Sequence, residues 1–152
     1  MICYLAFFLH LNIIIQLILF VLPGMTEARS SKLEIYDFKA VTVEAMVYFM
    51  YNGNVLEEKM INSDLLRLAE KYNIKSLVDF CVKYLEENLT LENALDILVT
   101  SHLTNQQGLF DAATNFVHEN RRYLVNTDLW KGLIEANSKL ASDVLMKMLK
   151  LQ

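Results

Sequence analysis

The sequence predicts a mainly α-helical fold with a small α+β remnant, in which one or a few short strands precede the helices. Apolar residues recur every three or four positions between residues 44 and 149, which is the spacing of one helix face. Residues that cap or stop helices separate these stretches. An apolar content of 54% in 152 residues is ample for a buried core. The chain is therefore one domain of ordinary size or two small ones.

The segment LEIYD at residues 33–37 is predicted to be a short strand, and a helix is predicted at residues 44–51. Asn52 and Gly53 supply a left-handed stop for this helix. Its apolar stripe comprises Ala45, Met46, Phe49 and Met50.

The next helix is predicted to begin at Asn62 or Ser63, because either side chain can accept a hydrogen bond from the first-turn amides. Its predicted inward residues are Leu65, Leu66, Leu68, Ala69 and Tyr72, whereas Arg67, Glu70 and Lys71 stay in water. A break is predicted at Asn73. The inward residues of the helix that follows are Leu77, Val78, Cys81, Tyr84 and Leu85.

Thr90 is predicted to cap another helix, and Glu92 places a carboxylate in its first turn, where the helix dipole favours negative charge. The predicted inner face comprises Leu91, Ala94, Leu95, Leu98 and Val99.

Three further helices are predicted at residues 106–120, 128–136 and 138–151, with Asn126, Thr127 and Asn137 as caps. Gly108 costs roughly 1 kcal/mol relative to alanine, so we expect the first of these helices to begin later than its apolar pattern. The predicted inner face of the last helix comprises Leu140, Ala141, Val144, Leu145, Met148 and Leu149.

Charge and cysteine content narrow the possible functions. The 14 basic and 18 acidic residues give a formal net charge of -4, and basic residues cluster only at Arg121-Arg122. A nucleic-acid-binding surface needs several phosphate-facing cations, so this function is disfavoured. Two cysteines, Cys3 and Cys81, cannot form a disulfide scaffold. Cys81 is predicted to be a small buried apolar residue, which fits a reducing compartment.

The first 24 residues contain no Asp, Glu, Lys or Arg, and residues 1–22 are long enough to cross a bilayer of about 30 Å. Four interpretations of this segment are open. The first is a secretory signal, with a small-x-small site at Thr26-Glu27-Ala28 but without the usual positive start. The second is a membrane anchor that leaves Arg29 and the following residues in the cytosol. The third is a buried helix, and the fourth is the product of a misassigned start codon.

Sequence motifs for catalysis or metal binding are missing. The four glycines are spaced too widely for a phosphate or dinucleotide loop. His10, His102 and His118 do not have the spacing of zinc ligands. The paired acids Glu57-Glu58 and Glu86-Glu87 are predicted to be solvated. We therefore predict no catalytic residue, no cofactor and no metal site.

Residues 25–55 resemble part of the speckle-type POZ proteins (the MATH-BTB family). In that family this part runs from the cullin-contacting loop to a helix ending in tyrosine and glycine, and here it reads MTEARSSKLEIYDFKAVTVEAMVYFMYNGNV. The resemblance continues through LLRLAEKYNIKSLVDFCVKYLEENLTLENALDIL to LFDAATNFVHENRRYLVNTDLWKGLI, which is similar to the family's BACK-like helices. It implies a hydrophobic segment at residues 1–24, a partial BTB/POZ domain at residues 25–89 and a BACK-like extension at residues 90–152.

In this family the BTB domain binds cullin-3, and the protein is a substrate adaptor of a ubiquitin ligase. The resemblance implies the hydrophobic-x-Glu contact motif at Met25 and Glu27, and a cullin-facing tyrosine at Tyr51. The alternatives are a solvated loop for the motif and simple core packing for Tyr51. The resemblance also implies a location in the cytoplasm or nucleus. Formation of a homo- or hetero-oligomer through the C-terminal helices is open.

The sequence departs from the family because residues 1–24 stand where the first half of the BTB domain, with its dimer helix, would lie. A MATH domain is also missing. We therefore expect a truncated paralogue or an incomplete gene model. A second hypothesis is a membrane-tethered or secreted helical protein that has lost the adaptor role. The sequon Asn88-Leu89-Thr90 would carry a glycan only if the chain were secreted.

Overall fold

The computed structural model describes residues 35–150, which form eight α-helices and one 3₁₀ turn. The helices are α1 (Ala40–Asn52), α2 (Ser63–Lys71), α3 (Lys75–Glu87), α4 (Ala94–Leu103), α5 (Gln107–Glu119), α6 (Arg121–Leu124), α7 (Asp128–Ala136) and α8 (Ser138–Lys150), and the 3₁₀ turn is Glu58–Met60. The mainly α-helical prediction is confirmed for these residues.

The strand predicted at residues 33–37 is not formed at residues 35–37. Ile35 and Tyr36 have no regular secondary structure, and residues 33 and 34 lie outside the described part of the chain. A strand needs a neighbouring strand to complete its backbone hydrogen bonds, and residues 35–150 contain none. Instead, Ile35 and Phe38 pack half-buried against the helical core, and Asp37 pairs with Lys71 at 2.5 Å.

Helix α1 begins four residues earlier than predicted and ends at the predicted stop. Gly53 adopts a left-handed φ of 65°, and its amide donates to the Phe49 carbonyl at 2.8 Å. Only glycine adopts this conformation without strain from a Cβ. The ring of Phe49 meets that of Phe80 on α3 at a centroid distance of 5.1 Å, which joins the two helices.

Helix α2 matches its prediction closely. The Asn62 side chain accepts a hydrogen bond from the Leu65 amide at 3.1 Å, which identifies Asn62 as the cap. The five predicted inward residues, Leu65, Leu66, Leu68, Ala69 and Tyr72, are all buried. The break at Asn73 is confirmed by its left-handed φ of 53°.

The turn before α4 is held by two reciprocal hydrogen bonds between Thr90 and Asn93, in which each side chain accepts from the backbone amide of the other residue. The Thr90 hydroxyl accepts from the Asn93 amide at 3.3 Å, and the Asn93 side-chain oxygen accepts from the Thr90 amide at 2.8 Å. Regular helix begins only at Ala94. Leu91 therefore lies in the turn and is exposed, so its predicted place on the inner face is wrong.

The C-terminal helices follow the predicted order with one addition. Thr127 caps α7 by accepting from the Trp130 amide at 3.2 Å, and Asn137 accepts from the Leu140 amide at 3.1 Å at the start of α8. Asn126 caps no helix. The short helix α6 was not predicted. Leu145 and Leu149, predicted to face inward on α8, are exposed instead, and so is Met50 on α1.

One continuous apolar core runs through all the longer helices. Helix α2 contacts α1, α3 and α4, and α3 also contacts α5, so the predicted N-terminal and C-terminal parts share this core. Trp130 on α7 is almost wholly buried in it. Within residues 35–150, none of the helices combines the length and apolar character needed to cross a bilayer.

The reciprocal Thr90 and Asn93 hydrogen bonds generate a prediction about stability. Replacing Thr90 by alanine leaves the Asn93 amide without its acceptor, so Thr90→Ala should lower the free energy of unfolding by about 1 kcal/mol. Urea denaturation followed by circular dichroism measures this change. Ser76→Ala is a matched control, because the exposed Ser76 hydroxyl makes no hydrogen bond among residues 35–150. The predicted cap at Thr90 thus lies in the turn before the helix rather than at its first residue, and equal effects of the two substitutions would contradict a contribution of the Thr90 hydroxyl to stability.

Candidate functional site

Helix α1 presents a narrow outer face next to its buried side. Val41, Glu44, Tyr48 and Tyr51 are spaced by three, four and three positions, which places them along one side of a helix. Val41 is 46% exposed and Tyr51 is 50% exposed. We call these four residues the α1 outer face. An apolar and aromatic strip beside a carboxylate is suited to contact with another protein.

The α1 outer face is held by the buried side of the same helix. Ala45, Met46 and Phe49 are buried in the core beside α2 and α3. At the C-terminal end, the Asn52 amide group donates to the Tyr48 carbonyl at 3.0 Å, and the Gly53 turn follows. Tyr51 therefore lies on a well-fixed last turn of helix.

The predicted contact residues fall in different parts of the chain. Tyr51 lies on the α1 outer face with half of its surface exposed. Met25 and Glu27 lie outside the described residues. The role of all three in partner binding stays a prediction.

A second surface feature lies between α6 and α8 and was not predicted from the sequence. It is a groove of about 530 Å³ with apolar walls and a basic rim. The walls are formed by Val125, Leu145, Met148 and Leu149, and the rim includes His118, Arg121 and Arg122. We call it the α6–α8 groove. The helical spacing of Leu145 and Leu149 indicated an apolar face, but the sequence did not show that no other helix within residues 35–150 covers this face.

An ion pair fixes α8 against α5 beside this groove. Lys147 donates to the Asp111 carboxylate, and Gln107 donates to the same carboxylate oxygen at 2.7 Å. The hydrogen bond from Lys147 is the main reason that the pKa of Asp111 lies below its usual value. The Lys147 ammonium also lies 5.1 Å from the centre of the Phe110 ring. The position of α8 is thus set by polar as well as apolar contacts.

In the part of the chain that the structure describes, the acidic side chains and the cysteine considered in the sequence analysis do not form a metal-binding cluster. Within residues 35–150, no group of three or more His, Cys, Asp and Glu side chains is arranged to hold a metal. The paired acids Glu57-Glu58 and Glu86-Glu87 are exposed to solvent, as predicted. Cys81 is wholly buried, and this burial raises the pKa of its thiol to about 12. A thiol with this pKa is not a nucleophile near neutral pH.

Comparisons with known proteins agree on one domain type. Residues 18–89 match the family model described as the BTB/POZ domain, and the match begins inside the hydrophobic segment predicted at residues 1–24. BTB and MATH domain-containing protein 40 of Caenorhabditis elegans is 32% identical over 128 residues, which cover 83% of this chain and 32% of that protein.

Two other relatives come from distant organisms. A BTB/POZ domain-containing protein of Arabidopsis thaliana is 27% identical over 120 residues, or 79% of this chain and 49% of that protein. TD and POZ domain-containing protein 5 of Mus musculus is 28% identical over 118 residues, or 76% of this chain and 35% of that protein. The chain thus spans only a third to a half of the length of these curated relatives.

The burial of Cys81 generates a prediction about thiol reactivity. In a Cys3→Ser variant, which leaves Cys81 as the single cysteine, a maleimide should not label the folded chain near neutral pH. The raised pKa of about 12 keeps the thiol protonated, and the core excludes the reagent. Labelling should become complete in denaturant, as mass spectrometry would show. Rapid labelling of the folded chain would contradict this description of the core.

Proposed function

We propose that the chain, whose residues 18–89 match the BTB/POZ domain model, is a protein-binding module that acts as an adaptor-type partner of cullin-3 in a ubiquitin ligase. The observation that carries the proposal is the exposure of Tyr51 on the α1 outer face, at the position where the family has its cullin-facing tyrosine. In this role the chain contributes to protein ubiquitination and proteasomal degradation by binding, and it has no catalytic activity of its own. It would act in the cytoplasm or nucleus.

The chemistry of the α1 outer face supports this role. Tyrosine combines a large apolar ring with a hydroxyl, so it gains from burial and can still satisfy a polar partner. Such residues are enriched among those that dominate binding energy. Val41 extends the apolar area, and Glu44 adds a carboxylate that can orient a partner carrying a positive charge. We propose that the motif at Met25 and Glu27 completes the contact, with methionine as an apolar knob.

A second candidate function rests on the uncharged segment at residues 1–24. If this segment targets or anchors the chain, the protein is a membrane-tethered or secreted helical protein that has lost the adaptor role. The sequon supplies a test of the secreted version, because Asn88 is exposed just after α3 and its side-chain amide makes one hydrogen bond, to the Tyr84 carbonyl at 2.9 Å.

We also propose that copies of the chain associate through the C-terminal helices. The supporting observation is that Leu129 and Ile134 on α7, and Met146 on α8, are exposed outside the α6–α8 groove. Light scattering of the purified chain measures this association, and a monomeric mass at micromolar concentration would exclude it.

The cullin proposal predicts a loss of affinity on changing Tyr51. Tyr51→Ala should weaken binding to the N-terminal domain of cullin-3 about tenfold or more, because truncating a central aromatic residue removes a large share of binding energy. Met25→Ala and Glu27→Ala should act in the same direction. Calorimetric titration with the full chain measures these affinities, and circular dichroism checks that each variant is folded.

Tyr123→Ala is the matched control, because Tyr123 is a tyrosine on α6 that is 71% exposed and far along the chain from α1. It should leave the affinity for cullin-3 unchanged. The proposal fails if cullin-3 binds the Tyr51, Met25 and Glu27 variants as well as it binds the unchanged chain, or if it does not bind the unchanged chain.

The adaptor proposal also predicts that Asn88 carries no glycan in cells. Intact mass of the endogenous chain, before and after treatment with peptide N-glycosidase, should be identical. An Asn88→Gln variant provides the mass of a chain that cannot be modified there. A mass that falls on treatment, and that Asn88→Gln abolishes, would favour the secreted protein over the adaptor.

A further inference from the structure

We propose that the α6–α8 groove is a docking site for a short acidic amphipathic helix of another protein. The groove lies on α6 and α8, and the argument for it does not depend on the cullin contact proposed for α1. Three observations carry the proposal: the shape and apolar walls of the groove, its basic rim, and the lack of carboxylates among the residues that line it.

The walls of the groove have an apolar composition that suits one apolar helix face. Leu145 and Leu149 lie one turn apart on α8 and are 43% and 63% exposed, and Val125 faces the same space from the end of α6. Met148 also lines the groove, and it is buried. A helix with apolar residues at helical spacing would remove these side chains from water.

The arginines at the rim of the groove favour a partner that carries negative charge. Arg121 donates one hydrogen bond, to the His118 carbonyl at 2.9 Å, and neither Arg121 nor Arg122 forms an ion pair with any residue between 35 and 150. These arginines are adjacent on a chain whose net charge is -4. A guanidinium can bind a carboxylate with two parallel hydrogen bonds. Acidic residues that flank the apolar residues of the partner would therefore pair with this rim.

The same rim disfavours a second copy of the chain, a nucleic acid and an anionic membrane as occupants of the groove. If two copies met groove to groove across a two-fold axis, four arginines would share one interface that has no carboxylate among its lining residues, which leaves their charges uncompensated. A nucleic acid or an anionic membrane would be expected to need a larger basic surface than two adjacent arginines. An acidic amphipathic helix uses both the walls and the rim.

The proposal is tested by selecting peptides from a phage-displayed random library, about 14 residues each or roughly four helical turns, against the full chain. The selected peptides should share apolar residues at helical spacing with Asp or Glu beside them. Fluorescence polarisation then measures their affinity. The double variant Arg121→Glu with Arg122→Glu should weaken binding about tenfold or more, and Leu149→Asp should also weaken it strongly. Added salt should weaken binding to the unchanged chain.

Lys83→Glu is the control for charge reversal, because it reverses a single positive charge at an exposed site on α3 outside the groove. It should leave the affinity unchanged, and circular dichroism should show all variants folded, since the replaced side chains are exposed. The proposal is overturned if no selected peptide depends on Leu149, or if the peptides are neutral or basic. It is also overturned if light scattering shows a dimer that Leu149→Asp converts to a monomer, because a second copy then occupies the groove.

Discussion

The burial of α2 is the constraint on which the rest of the structure depends. This helix has nine residues, and a helix of that length is marginal in water by itself. It is stabilised because Leu65, Leu66 and Leu68 are wholly buried where α2 meets α1, α3 and α4. The α1 outer face points to solvent because the other side of α1 packs on this centre. The C-terminal helices are tied to it as well, since Gln106 before α5 donates to Glu70 on α2 at 2.5 Å.

Local signals in the sequence predicted much of this arrangement. Caps and stops depend on the conformation of a few neighbouring residues, so Asn62, Asn73 and Thr127 could be identified without knowledge of the fold. The buried side of α2 followed from periodicity. The short helix α6 was missed because four residues are too few to show a period.

Contacts between distant parts of the chain account for the errors. Periodicity shows that one side of a helix is apolar, but it does not show whether another helix covers that side. Leu145 and Leu149 were therefore placed in the core although they line an open groove. The half-exposed state of Tyr51 likewise depends on how α1 sits against α2 and α3. The fold class could thus be predicted, and the resemblance pointed to Tyr51, whereas the exposure of this residue and the α6–α8 groove needed the structure.

The continuity of the core has a consequence for how variation in this protein would act. Because α3 contacts α5 and α2 contacts α4, the N-terminal and C-terminal helices unfold in one cooperative transition. The α1 outer face and the α6–α8 groove are therefore lost together when the chain unfolds. A loss of about 1.4 kcal/mol anywhere in the core raises the unfolded fraction roughly tenfold. Destabilising substitutions at the buried residues Trp130 or Leu98 would therefore lower the cellular amount of folded chain that presents α1 for binding. They would do so because quality control removes the unfolded chain, and they would not change the interface itself.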